Sequence, residues 1–407
     1  MSNTQTKNVP ELRFPGFEGE WEEKKLGNLT TKIGSGKTPK GGSENYTNKG
    51  IPFLRSQNIR NGKLNLNDLV YISKDIDDEM KNSRTYYGDV LLNITGASIG
   101  RTAINSIVET HANLNQDVCI IRLKKEYYYN FFGQYLLSRK GKRKIFLAQS
   151  GGSREGLNFK EIANLKIFTP TIFEEQQKIG QFFSKLDRQI ELEEQKLELL
   201  QQQKKGYMQK IFSQELRFKD ENGEDYPDWE NSKIEKYLKE RNERSDKGQM
   251  LSVTINSGII KFSELDRKDN SSKDKSNYKV VRKNDIAYNS MRMWQGASGK
   301  SNYNGIVSPA YTVLYPTQNT SSLFIGYKFK THRMIHKFKI NSQGLTSDTW
   351  NLKYKQLKNI NIDIPVLEEQ EKIGDFFKKM DILISKQKMK IEILEKEKQS
   401  FLQKMFL

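Results

Sequence analysis

Few residues of the chain have the types and spacings that enzymatic chemistry requires. The segment GSGKTP at 34–39 is similar to a phosphate-binding loop, but the first glycine of that motif would fall on Thr31, and Pro39 would interrupt the helix that must follow. His332 and His336 have the spacing of two metal ligands on a helix, but no glutamate lies between them and no third ligand follows. We therefore expect no catalytic residue and no metal site.

The motif that holds the target amino group in DNA amino-methylation is an Asn or Asp followed by two prolines and an aromatic residue, and it does not occur here. A fused restriction-methylation enzyme is one alternative function, but the chain lacks the catalytic motifs for it. If methyl transfer is part of the function, a partner must carry it out.

Polar side chains in segments rich in Gly, Asn and Ser have the types that read DNA. In the major groove Arg pairs with guanine and Asn or Gln with adenine, whereas Lys and Ser mainly contact phosphates. For each candidate, a plain surface or turn role is the open alternative. The candidates are Lys37, Arg55, Gln57, Asn58, Asn93, Arg101, Arg154, Arg292, Trp294, Gln295, Lys300, Tyr311, Gln343 and Ser347.

The charge distribution also indicates a polyanionic partner. The 407 residues include 68 bases and 50 acids, a net charge of +18. Residues 1–173 carry 26 bases and 17 acids, residues 214–367 carry 26 and 18, and the two remaining segments are nearly neutral. Two separate basic blocks with nearly equal charge excess favour two surfaces that face one nucleic acid. The densest patch, RKGKRK at 139–144, is either part of such a surface or a solvated helix face.

An internal repeat with an offset of 194 residues provides the framework for these loops. EEQQKIGQFF at 174–183 recurs as EEQEKIGDFF at 368–377, and QKIF at 209–212 recurs as QKMF at 403–406. ELRF begins at residues 11 and 215, and a tryptophan follows each copy, at Trp21 and Trp229. The chain is therefore two copies of one unit, each a variable globular block followed by a helical block.

The helical blocks have apolar residues spaced by three and four, flanked by Glu, Lys and Gln, which predicts a two-helix coiled coil. The alternative is a pair of amphipathic helices that each dock on their own block. The predicted interface consists of Leu186, Ile190, Glu193, Leu197, Leu200, Lys204, Tyr207, Ile384, Gln387, Ile391, Leu394, Lys398, Phe401 and Met405.

The polar interruptions of this seam predict an antiparallel register. If facing residues have numbers that sum to 591, Glu193 lies beside Lys398 and Lys204 beside Gln387, so that each polar residue meets a polar partner. The rod would be about 30 residues or roughly 45 Å long.

Short alternating strands and Gly-rich turns in the globular blocks predict mixed α/β domains with a loop-rich sheet. The fold class is therefore α+β, with a pseudo-twofold repeat. We expect recognition domains at 1–173 and 214–367 and coiled-coil helices at 174–213 and 368–407. The single cysteine, Cys119, is expected to be a buried strand residue. Without an apolar leader or membrane-length run, a cytoplasmic protein is expected.

These motifs carry a family resemblance that covers essentially the full length. The two EEQ(Q/E)KIG helices, each after a strand that ends in Pro170 or Pro365, together with ELRFPGFEGEW at 11–21 and MRMWQGASG near residue 291, resemble the specificity (S, HsdS) subunit of type I restriction-modification systems.

The resemblance implies two target recognition domains held apart by an antiparallel coiled coil, each reading half of an asymmetric, interrupted DNA site. It implies two methyltransferase subunits that bind S-adenosylmethionine, and restriction subunits that use ATP and Mg, as partners. The chain itself would bind no cofactor and perform no chemistry. A coiled-coil scaffold for acidic proteins or RNA is an alternative, although the neutral charge of the helical blocks disfavours it.

Overall fold

The computed structural model describes residues 8–149, 156–266, 268 and 273–407. The chain divides into two compact units. One contains the sequence up to Gln195 together with Met389–Leu407, and the other is Lys196–Lys388. Each unit combines one globular block with segments of both long helices. In the described residues, no helix is both long and apolar enough to cross a membrane.

The first unit is built on a four-stranded sheet of order β2-β9-β6-β7, a second sheet of order β4-β3-β8-β5 and an antiparallel β1-β10 ribbon. Its strands are β1 Glu22–Lys25, β2 Thr30–Ser35, β3 Ile51–Leu54, β4 Val70–Ile72, β5 Arg84–Thr85, β6 Val90–Asn93, β7 Thr102–Ile104, β8 Ala112–Leu114, β9 Val118–Leu123 and β10 Lys166–Thr169. Its helices are α1 Leu26–Leu29, α2 Lys74–Glu79, α3 Tyr129–Leu137, α4 Arg139–Leu147, α5 Phe159–Asn164 and the first part of α6 Phe173–Phe212.

The second unit repeats the principal sheet with the order β12-β19-β16-β17 and the ribbon as β11-β20, and adds the pairs β13-β14 and β15-β18. Its strands are β11 Glu230–Lys233, β12 Leu238–Glu240, β13 Leu251–Thr254, β14 Gly258–Lys261, β15 Lys279–Val281, β16 Ile286–Asn289, β17 Ser298–Lys300, β18 Gly305–Val307, β19 Tyr311–Pro316 and β20 Asn361–Ile364. Its helices are α7 Ser322–Lys328, α8 His332–Asn341, α9 Tyr354–Leu357 and part of α10 Leu367–Lys404. The predicted mixed α and β composition and internal repeat are confirmed.

The principal sheets are buried on both faces. In β6, Val90 and Leu92 pack in the core that contains Phe131 of α3, whereas Leu91 points into a second core with Leu114 of β8. Successive strand residues face opposite sides, so a continuous apolar run such as VLL supplies both cores. Cys119 is buried on β9, as predicted, and burial raises the pKa of its thiol to about 12.

One buried constellation explains why ELRF, a tryptophan and EEQ recur together. In the first unit, Arg13 donates from Nε and Nη2 to the carboxylate of Glu175, both at 2.7 Å, and Trp21 donates from its indole nitrogen to the same group at 3.3 Å. In the second unit, Arg217 and Trp229 hold Glu369 in the same way. Both carboxylates are buried. These contacts fix the segment before each block to the first turn of its long helix.

The glutamine that follows each of these glutamates joins the helix to the block. Gln176 donates to the carbonyl of Pro170 at 3.1 Å and accepts from the backbone of Tyr128 at 3.0 Å. Gln370 makes the equivalent bonds to Pro365 and Ser321. Each glutamine therefore bridges the end of the last strand and the start of a domain helix.

The long helices run antiparallel within each unit, as predicted. In the first unit, the ring of Phe182 packs on that of Phe401 at 5.0 Å, Asp187 pairs with Lys398, and Glu193 pairs with Lys390. Partner numbers thus fall as residue numbers rise. In the second unit, Tyr207 packs edge-on against Phe376 and Lys204 pairs with Asp381 at 2.6 Å. All fourteen predicted interface residues are buried or half-buried, except the more exposed Tyr207.

The predicted register is wrong by a few residues. The ion pairs join residues whose numbers sum to 583 or 585, and the stacked rings of Phe183 and Phe406 give 589, against the predicted 591. Glu193 and Lys398 therefore pair with separate partners. A long lysine side chain at the seam extends to an acid that flanks the other helix, where its charge stays partly hydrated, so it need not face another polar seam residue.

Candidate nucleic-acid interface

In the first unit, hydrogen bonds gather several predicted loops at one end of the principal sheet. Strand pairing places the end of β2, the end of β6 and the start of β9 at the same end of the principal sheet. The backbone of Lys37, just after β2, donates to Leu114 at 2.9 Å. The backbone of Ile94, just after β6, donates to Asp117 at 2.9 Å. The backbone of Asn93 donates to Arg101 at 2.9 Å, and that of Asn115 donates to Leu54 at 3.1 Å. The loops that carry Lys37, Arg55, Gln57 and Arg101 consequently adjoin one another.

Two of the predicted base-reading residues hold these loops together and are buried. Asn58 accepts from the backbone of Arg55 at 2.9 Å and donates to the carbonyl of Asn65 at 2.9 Å. Asn93 donates to the carbonyl of Ser56 at 2.9 Å. Both asparagines are fully buried and donate or accept bonds within the protein, so here they hold the loops, and base contact by either of them stays a prediction.

The remaining candidates of this unit are accessible to different degrees. Lys37 and Gln57 are exposed, and Arg101 is half-buried. Arg55 is half-buried, with Nη2 donating to the carbonyl of Asp68 at 3.0 Å and its guanidinium over the Tyr46 ring at 5.5 Å. This packing orients the guanidinium before any ligand arrives. Arg154 lies outside the described residues.

In the second unit, the MRMWQGAS segment forms a tight turn after β16. Arg292 is exposed, a single 3-10 turn spans Met293–Gln295, and Gly296 follows with a φ of +83°, a conformation that favours glycine. Trp294 donates from its indole nitrogen to Met291 at 3.1 Å. Met293 is buried beneath the turn, in the same core as residues of α8.

A second segment packs directly on this turn. The ring of Trp350 meets that of Trp294 edge-on at 5.2 Å, and the backbone of Leu352 donates to Ser290 at 2.9 Å. The structure thereby brings together Arg292, Trp294 and Gln295 with the segment that carries Gln343 and Ser347, both of which are exposed. Tyr311 pairs with Asn289 at the same end of the sheet and is half-buried.

Lys300 is at the other end of the sheet. It pairs with Ile286 at the start of β16, and its ammonium donates to Asn302 at 2.9 Å and Asn284 at 3.2 Å. It lines a cleft of about 1050 Å³ that also contains Lys378. Burial, together with the charge of Lys378, lowers the pKa of Lys300. Lys300 is therefore separated from Arg292, because β17 carries the chain away from the turn.

The basic cluster at 139–144 is the start of α4, and only part of it is available to a ligand. Arg139, Lys142 and Arg143 are exposed. Lys140 donates to the carbonyl of Phe406 at 2.7 Å, and Lys144 donates to the carbonyl of Lys166. The cluster thus combines a solvated face with two lysines that are bonded to backbone carbonyls, one just after the long helix α10 and one at the start of β10.

Sequence reasoning missed Trp350 and Leu345, which lie in the segment between Gln343 and Asn351. The signal was present, because SQGLTSDTW places a leucine and a tryptophan in an otherwise polar turn. The described residues contain no group of three or more His, Cys, Asp or Glu side chains placed to hold a metal ion.

Comparison with known proteins agrees with this architecture. Residues 18–202 and 226–396 match the family described as type I restriction modification DNA specificity domain. The chain is 26% identical over 250 residues, or 59% of its length, to a Methanocaldococcus jannaschii protein described as the type I restriction enzyme MjaX specificity subunit. It is 31% identical over 144 residues, or 34% of its length, to the type I restriction enzyme EcoBI specificity subunit of Escherichia coli. These matches span 56% and 30% of the two relatives.

Solved structures share the fold at low sequence identity. The crystal structure of a type I restriction-modification system S subunit from M. genitalium superimposes with a TM-score of 0.60 at 15% identity, covering 98% of this chain and 99% of that one. A structure from work on complex assembly and conformational transition of the type I R-M system gives a TM-score of 0.55 at 16% identity, covering 97% and 98%. With the two family matches, which cover most of the sequence, these findings show that the chain belongs to the family of type I restriction-modification DNA specificity domains.

Proposed function

We propose that this chain is the DNA-recognition subunit of a type I restriction-modification complex. It reads a bipartite, asymmetric DNA target and directs methylation and restriction by partner subunits. One observation carries the proposal. The same sheet, in the same strand order, is built twice and presents different loops at the corresponding end of each copy.

The two sets of loops supply different chemistry for reading bases. The first unit offers Arg55, Gln57 and Arg101 beside Lys37. The second offers Arg292, Gln295 and Gln343 beside two tryptophans. The two units share a scaffold but carry different side chains for contacting bases. This arrangement fits a DNA target whose two halves differ in sequence.

The chemistry is assigned to the partners. Two methyltransferase subunits would bind S-adenosylmethionine, the restriction subunits would use ATP and Mg, and this chain would bind no cofactor. It has none of the motifs that phosphate transfer or amino-methylation requires. We place the complex in the cytoplasm, where it meets DNA.

Mapping of methylated bases in host DNA tests the proposal. Cells that contain the modification subunit are compared with and without this chain. The expected result is one interrupted, asymmetric motif whose methylation requires the chain. Unchanged methylation, with the chain bound instead to RNA or acidic proteins, would favour the scaffold alternative.

A further inference from the structure

The segment between Gln343 and Asn351 is a closed loop that holds one leucine in solvent. Leu345 is completely exposed. The backbones of Gln343 and Asn351 exchange two hydrogen bonds, at 3.0 and 2.8 Å, and Thr349 donates to the carbonyl of Thr346 at 3.0 Å. The loop therefore has its own hydrogen-bonded framework, so the exposure of Leu345 is built into its conformation.

This loop is anchored to the turn that carries Arg292. Trp350, next to the closing pair, packs against Trp294, and Leu352 is bonded to Ser290. The ammonium of Lys339 lies over the Trp350 ring at 5.7 Å. The neighbouring helix α8 contains Arg333, Lys337 and Lys339 and no acid. Arg333 pairs with Asp363 of β20 at 3.1 Å, and the loop itself contributes one acid, Asp348. This mainly basic setting suits a nucleic acid better than an apolar protein surface.

Gln343 is oriented within the same loop. Its amide oxygen accepts from Nε2 of Gln356 at 3.0 Å, which fixes the direction of the amide. In the part of the chain that the structure describes, its amide nitrogen donates no hydrogen bond to the protein. The exposed amide can thus donate to a ligand, while its oxygen retains a second lone pair.

An adenine–thymine pair presents features that match both side chains. In the major groove, adenine offers N7 and N6 to a glutamine amide, and thymine offers its C5 methyl group to an apolar side chain. We propose that Gln343 and Leu345 together read one adenine–thymine pair in the half-site assigned to the second unit. The proposal rests on the proposed function and adds Leu345 as a specificity-determining residue.

The test uses the full chain bound to its modification subunit and a duplex with the mapped motif. Each thymine of that half-site is replaced in turn by uracil, which lacks the methyl group, and each adenine by 7-deazaadenine, which lacks N7. We expect uracil at one position to weaken binding by wild type about fourfold, the effect of one buried methyl group. The variant Leu345→Ala should bind the thymine duplex about fourfold more weakly than wild type and no longer distinguish thymine from uracil. The variant Gln343→Ala should lose the preference for adenine at the same base pair.

Leu216→Ala is the matched control, because Leu216 is an exposed leucine of the same unit on the segment after the long helix. Leu216→Ala should retain the preference for thymine over uracil and for adenine over 7-deazaadenine. The thermal unfolding midpoints of all three variants should match that of wild type. Equal binding of thymine and uracil duplexes by wild type at every position would overturn the inference while leaving sequence-specific binding intact. If wild type does not prefer the motif to a scrambled duplex, the proposed function itself fails.

Discussion

At the residue scale, the motif residues that recur in both copies of the repeat are structural, and they are not the residues that read DNA bases. Glu175 and Glu369 are buried carboxylates, each held by one arginine and one tryptophan. Their recurrence could be seen in the sequence, but their pairing could not, because Arg13 and Glu175 are 162 residues apart. Likewise, nothing in the sequence distinguishes Asn93, which is buried and bonded to the Ser56 carbonyl, from an asparagine that contacts adenine.

Removal of one of these carboxylate charges should destabilise the second unit. Glu369→Gln leaves Arg217 partly buried without its bidentate partner, and we expect a loss of about 3 kcal/mol in the free energy of unfolding. Urea denaturation followed by tryptophan fluorescence measures the loss. The exposed Glu371, on the same turn of helix, is the control, and Glu371→Gln should change stability little. An equal effect of the two variants would contradict a structural role for the Glu369 pair.

Lys328 should make the stability of the second unit depend on alkaline pH. Its ammonium lies over the rings of Trp229 at 4.7 Å and Phe212 at 5.4 Å, and burial lowers its pKa to about 8. Because the unfolded state keeps this proton up to a pH of about 10.4, stability should rise with pH between about 8 and 10.4. The shift corresponds to about 3 kcal/mol, and below pH 8 the full cost of burying the charge is present.

The variant Lys328→Met, measured by urea denaturation across this window, isolates the effect. It should be more stable than wild type at pH 7 and lose that advantage by pH 10.5. Lys355→Met, at an exposed lysine, should follow the wild-type pH dependence. A constant difference between Lys328→Met and wild type at all pH values would show that the lysine is not buried in its charged form.

At the element scale, periodicity predicts most of the architecture. Heptad spacing predicts helices close to the observed Phe173–Phe212 and Leu367–Lys404, and the apolar run VCII predicts that Cys119 lies on a buried strand. The register of the helices was missed because seam lysines reach flanking acids, a choice that depends on side-chain length and solvation. The separation of Lys300 from Arg292 could not be read from the sequence, because the Gly- and Ser-rich segment between them does not show where the turn ends and β17, Ser298–Lys300, begins.

A double-mutant cycle should identify the observed helix register. Asp187 and Lys398 form a partly buried ion pair, so replacing both with Ala should show a coupling of about 1 kcal/mol in unfolding free energy. Glu193 pairs with Lys390, so the Glu193 and Lys398 cycle should show a smaller coupling. If the Glu193 and Lys398 cycle showed the larger coupling, the register in which the numbers of facing residues sum to 591 would be supported instead.

At the scale of the whole molecule, the excess positive charge lies in the two globular blocks and not in the helices. Binding to DNA should therefore release counterions from both half-sites. If roughly six phosphates are neutralised, the logarithm of the binding constant should fall with the logarithm of salt concentration at a slope of about −5. A filter-binding titration measures this slope, and a value near zero would exclude phosphate contacts as a major source of affinity.

The central claim is that each globular block reads its own half of one DNA site. Exchange of residues 214–367 for the corresponding block of another family member, followed by mapping of methylated bases in cells with the modification subunit, tests it most directly. We expect one half of the motif to change to a new sequence while the half read by residues 1–173 stays the same. A motif that changes in both halves, or in neither, would contradict independent reading by the two blocks.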